Sequence, residues 1–124
     1  MNIESLIIIG GLYNVAFTIF HLLFWKIFKC KKDLASLSII NRGVMQILNL
    51  CLTFVFLIFG YISIFHTKEL ISTSLGVSLL LLISVFWALR AIEQVVFFGL
   101  KNKVSLIFFI IFLTGFVIYL YPFL

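Results

Sequence analysis

The stretch that decides the fold is Leu70–Leu100, LISTSLGVSLLLLISVFWALRAIEQVVFFGL. Its first 20 residues, up to Leu89, contain no Asp, Glu, Lys or Arg. At about 1.5 Å of rise per residue, a helix of that length crosses a hydrocarbon layer of about 30 Å. Arg90 and Glu93 then follow one turn apart, and apolar character resumes until Lys101. A charge near the bilayer centre costs about 2.5 to 3.5 kcal/mol, so a helix that keeps two invites a functional explanation.

Three further stretches are equally free of those four residues: Ser5–Trp25, Gly43–Thr67 and Val104–Leu124. The whole chain of 124 residues is 65% hydrophobic and only 10% charged. Soluble domains carry roughly 25% charged residues, so this composition excludes a water-soluble globule. Sixteen Phe and one Pro, with no two-residue alternation, favour helices over a membrane β-barrel. The expected fold is all-α: an integral membrane antiparallel four-helix bundle, one transmembrane domain over residues 1–124. Its helices are expected over about 5–28, 42–65, 73–100 and 104–123. The first stretch lacks the basic start and small-residue cleavage site of a signal peptide.

The net charge of +5 does not point to nucleic acid, because the basic residues lie in short segments beside apolar ones. Lys26, Lys29, Lys31, Lys32 and Arg42 fall in the first loop region, and Lys101 and Lys103 in the third. The second has Lys68 beside Glu69, and the N-terminus has Glu4. Positive residues stay inside, so the expected placement is multi-pass in the inner (plasma) membrane, with loops one and three cytoplasmic and both termini outside. Trp25, Tyr61, Tyr119 and Tyr121 stand near helix ends, as interfacial aromatics do. Cys30 and Cys51 lie at different depths on a reducing side, which argues against a disulfide.

The polar residues inside the apolar stretches form stripes at 100° per residue. Asn14 and His21 share a face of the first helix, Gln46, Asn49 and Thr53 one of the second, and Arg90 and Gln94 one of the third, with Glu93 at its edge. Counted from the cytoplasmic ends, Gln46 and His21 lie roughly 6 to 8 Å deep, and Asn49, Gln94 and Glu93 roughly 10 to 12 Å. Arg90 and Asn14 lie roughly 16 to 18 Å deep. These seven residues form the expected ligand-binding layer, floored by Trp87 and Thr53. The fourth helix shows no such stripe; with Ser105, Thr114 and Tyr119 scattered, it is expected to face lipid or a neighbouring subunit.

Chemistry narrows the use of the layer. A transition-metal site needs three or four His, Cys or carboxylate ligands, and only His21 and Glu93 qualify, so no metal or cofactor is expected. His66 stands at the far membrane face from His21, which excludes a bis-His haem within one subunit. No nucleophile is evident, since Thr18 and Thr53 suit back-bonding to their own helices, and no catalytic residue is assigned. Arg90 with Asn49, Gln46, Gln94 and His21 suits recognition of a small polar or anionic group. The expected function is a cytoplasm-facing pocket that binds or transports such a solute or a lipid head group. The alternatives are an enzyme on a lipophilic substrate, with His21 or Glu93 as base, or a structural subunit of a larger complex. Membrane lipids and further copies of the chain, in a homo-oligomer, are the expected partners.

The run His21-Leu-Leu-Phe-Trp25, Asn41-Arg42 with Gln46 and Asn49, and Arg90-Ala-Ile-Glu-Gln94 together resemble a group of small four-helix bacterial inner-membrane proteins of unknown function. That resemblance covers most of the chain and implies the architecture without an activity. The architecture also resembles the small multidrug resistance transporters, but the embedded glutamate of their first helix is missing here, where Glu4 lies at the outer edge.

Overall fold

A computed structural model describes residues 2–23 and 35–124. Among them the structure is helical: α1 (Ile3–Leu22), α2 (Ile39–Phe65), α3 (Thr67–Ser72), α4 (Ser74–Phe98) and α5 (Lys103–Leu120), then a 3-10 turn, Tyr121–Phe123. Four of these are long and apolar enough to cross a membrane. The expected extension of the first helix to residue 28, with Trp25, Cys30 and the lysines of the first loop, lies outside the described residues.

Each long helix starts on a side chain that accepts an otherwise orphaned N–H. Asn2 caps Ser5, Ser38 caps Asn41, Thr73 caps Gly76 and Asn102 caps Val104. These caps place the second helix three residues earlier than expected and the fourth one earlier. Gly99 ends α4 at a φ of 68°, a conformation that favours glycine. The expected second loop contains α3. His66 leaves helical geometry for one residue, Thr67 donates back to the Ser63 carbonyl, and Leu70, only 2% exposed, anchors the new turn in the core.

The helices associate as two hairpins, α1 with α2 and α4 with α5. Gly11 and Gly60 let the first pair approach closely, since a Cβ on either would stand 3.1 Å from the other's carbonyl oxygen. α5 also packs on α1, where a Cβ on Gly10 would lie 2.9 Å from the Tyr119 ring. α2 and α4 meet mainly through side chains, Phe56 and Phe59 against Phe86 and Trp87. α3 straps one end of the molecule. It sits so close to α4 that a Cβ on Gly76 would collide with the Glu69 carbonyl and the Leu70 backbone. The end with α3 is called the strap end below. The other, with the start of α2 and the Gly99–Asn102 turn, is called the mouth end.

Candidate functional site

The residues expected in one layer fall in two places. Towards the strap end, Asn14 is buried, and its Nδ2 donates to the Tyr119 hydroxyl at 2.8 Å and to the Gly10 carbonyl at 2.9 Å. Ser63 and Tyr119 share a hydrogen bond of 2.6 Å. All three residues are 0% exposed. This knot joins α1, α2 and α5, and it holds Asn14 apart from the other six expected residues. Beside it the Tyr13 hydroxyl donates to the Ile111 carbonyl at 2.6 Å, in room left by Gly115.

Between this knot and the mouth lies an aromatic core centred on Trp87, which is 0% exposed. Trp87 stacks on Phe56, with ring centroids 5.3 Å apart and planes 9° apart, and on Phe112, at 6.0 Å and 19°. Tyr13 and Phe86 meet it edge-on, and Phe17 packs at 5.0 Å. All four long helices thus supply a ring, and edge-to-face and offset pairs add to the burial of so much apolar area. His21 packs on Phe56 at 5.1 Å, and the Arg90 guanidinium lies 4.4 Å from the centre of the Phe112 ring. A continuous line of ring contacts therefore runs from His21 through Phe56, Trp87 and Phe112 to Arg90.

At the mouth end His21 and Asn49 form a pair across α1 and α2. Asn49 Oδ1 lies 3.0 Å from His21 Nδ1, and Asn49 Nδ2 donates to the His21 carbonyl at 3.4 Å. With the amide oxygen turned to the ring, Nδ1 carries the proton in the neutral imidazole. Thr53 donates to the Asn49 carbonyl at 2.7 Å, the back-bond expected of it. Arg90 and Glu93 approach to 4.0 Å, with side chains 30% and 55% exposed. That is the outer limit of an ion pair, and among the described residues neither side chain makes a hydrogen bond.

Two expected members point elsewhere. Gln94 is 4% exposed and donates to the Ser105 hydroxyl at 2.8 Å, which in turn donates to the Gly99 carbonyl at 2.5 Å. This relay satisfies a carbonyl at the end of α4 and ties it to α5. Gln46 is exposed on α2, one turn from Asn49. Arg42 donates to the Ala35 and Leu37 carbonyls, holding the segment before its own helix. His66 lies near the strap, 3.1 Å from Glu69.

The inward face of α5, with Ser105, Phe112 and Tyr119, was read in the sequence as scattered. A usable signal was present: Gly10 precedes Asn14 and Gly115 precedes Tyr119 by one turn, so each polar group follows a residue small enough to admit a partner. Compared with known proteins, the chain matches no family model, no curated protein and no solved structure.

Proposed function

We propose that the chain is an antiparallel four-helix bundle of the inner membrane whose mouth end holds a pocket for a small anionic or polar group, a solute or a lipid head group. The observation that carries this reading is Arg90. Its guanidinium rests on an aromatic ring, 30% exposed, and its five N–H donors have no hydrogen-bond partner among the described residues. A buried arginine serving only to join helices would have its donors occupied, as Asn14 and Gln94 do.

Antiparallel packing is supported by contacts that run in opposite senses along the chain. Gly11 meets Ser63 where His21 meets Asn49, and Ser84 meets Phe116 where Gln94 meets Ser105. With the mouth end cytoplasmic, as the lysines predict, both termini lie outside. Arg90 is the anion contact in this reading, and Glu93 its loose counter-ion. His21 and Asn49 form the opposing polar wall, with Gln46 near the rim; Asn14 and Gln94 support the frame.

The test is thermal unfolding of the purified protein in detergent across a panel of phosphorylated, carboxylated and lipid compounds. A stabilising compound is expected, and Arg90→Leu should abolish its effect. If Arg90→Leu and Glu93→Leu both leave every stabilisation unchanged, there is no such pocket. The second reading, an enzyme on a lipophilic substrate, draws on the oriented His21 imidazole, whose Nε2 is the unprotonated nitrogen when the ring is neutral. It predicts turnover that His21→Gln removes while binding persists.

A further inference from the structure

Phe59 of α2 meets Phe86 of α4 with ring centroids 5.3 Å apart, so these residues mark the facing edges of the two helices. Seven residues are two turns, so Leu52 and Met45 continue the α2 edge towards the mouth, and Glu93 continues the α4 edge. Towards the mouth both edges are exposed: Met45 is 53% exposed and the Glu93 side chain 55%. We infer that a cleft runs between these exposed edges at the mouth, with an apolar wall on α2. Its α4 wall carries Glu93, with Arg90 one turn behind at the aromatic floor.

In the membrane-spanning reading, edges exposed in this way face the lipid. The apolar wall suits a hydrocarbon chain better than a soluble anion. The charges choose the head group. Arg90 and Glu93 are opposite in sign, lie 4.0 Å apart, and leave their donors and acceptors without other hydrogen bonds among the described residues. A purely anionic group on Arg90 would meet the Glu93 carboxylate. A zwitterion with a phosphate and an ammonium two carbons apart matches both, each through a charge-assisted hydrogen bond.

We propose that this cleft takes an aminophospholipid of the phosphoethanolamine type, entering sideways between α2 and α4, with its phosphate on Arg90 and its ammonium on Glu93. The proposal rests on the reading of the Arg90 end as a binding site.

The test measures lipid retained by the purified protein in native mass spectrometry. Probes are dioleoyl phosphatidylethanolamine, dioleoyl phosphatidylglycerol and soluble O-phosphoethanolamine. The wild type should hold phosphatidylethanolamine about tenfold more tightly than phosphatidylglycerol, the scale of one charged hydrogen bond. Glu93→Gln should reverse that order, and Arg90→Gln should weaken both lipids about tenfold or more. Met45→Trp, which fills the cleft from an exposed position without touching a charge, should weaken both lipids equally.

An unchanged lipid preference in Glu93→Gln overturns the head-group assignment. Equal affinity for soluble O-phosphoethanolamine, unaffected by Met45→Trp, overturns sideways entry; in both cases loss of binding in Arg90→Gln keeps the pocket reading alive. If Arg90→Gln changes no binding at all, pocket and proposal fall together. Monodisperse elution and unchanged helical circular dichroism show that each variant is folded.

Discussion

The strap half and the mouth half of the molecule treat polar groups in opposite ways. Asn14, Ser63 and Tyr119 are 0% exposed and bond to one another across three helices through Asn14 Nδ2 and the two hydroxyls, with glycines admitting their partners, and only Asn14 Oδ1 is left unpaired. Arg90 and Glu93 are half-open and meet only at 4.0 Å, and Arg90 has the Phe112 ring where a structural network would place an acceptor. In lipid an unsatisfied polar group costs several kcal/mol, so the first pattern is what stability alone produces. The second departs from it, and that departure is the ground for reading the Arg90 end as a binding site.

The largest test of this contrast is Gly76→Ala. The added methyl would strike backbone, not a side chain that can swing away, so the strap must lift from α4. Overpacking of this sort costs about 1 to 3 kcal/mol, to be read as a lowered unfolding midpoint in detergent. Next comes Tyr119→Phe, which strands Asn14 and Ser63 in the dry interior. It should destabilise by about 1 to 2 kcal/mol while leaving ligand binding at the mouth intact. If binding falls in step with stability, the two halves are not separate.

Gly43→Ala should act with the opposite sign to Gly76→Ala. Nothing lies within 4 Å of the new methyl, so only helix propensity changes, raising stability by a few tenths to about 1 kcal/mol. The smallest effect is expected for Glu93→Gln. A loose, half-exposed pair contributes about 0.5 kcal/mol or less, so its unfolding midpoint should scarcely move. A large loss there would mean that Arg90 and Glu93 belong to the frame, as Asn14 and Gln94 do.

The four long helices were legible because the absence of charge over 20 or more residues needs no tertiary information. Their starts were less so. Ser38 and Asn102 cap earlier than the apolar patterns suggest, and α3 forms where polar Lys68, Glu69 and Ser72 read as loop. For the site, sequence geometry gave direction poorly. Asn14 and Arg90 were expected at similar depths, yet Asn14 turns to Tyr119, 105 residues away, because Gly10 makes room for that ring. Gln94 was expected beside Arg90 and instead bonds Ser105, whose importance depends on the turn at Gly99 bringing α5 back. Which face a helix offers is decided by its neighbours, and no single stripe records them.

The asymmetry between the closed and open ends also has a mechanical side. Each hairpin is held by close backbone contact, whereas α2 and α4 touch chiefly through rings. The two pairs are thus joined along the seam of α1 and α5 and at the strap, where α3 grips α4 at Gly76, and more loosely between α2 and α4. From the strap α4 extends about 30 Å to the mouth. A tilt of about 5° between the pairs would shift the rim by roughly 3 Å while barely disturbing the strap. Such a tilt would be taken up by the ring contacts of Phe56 and Phe59 with Phe86 and Trp87.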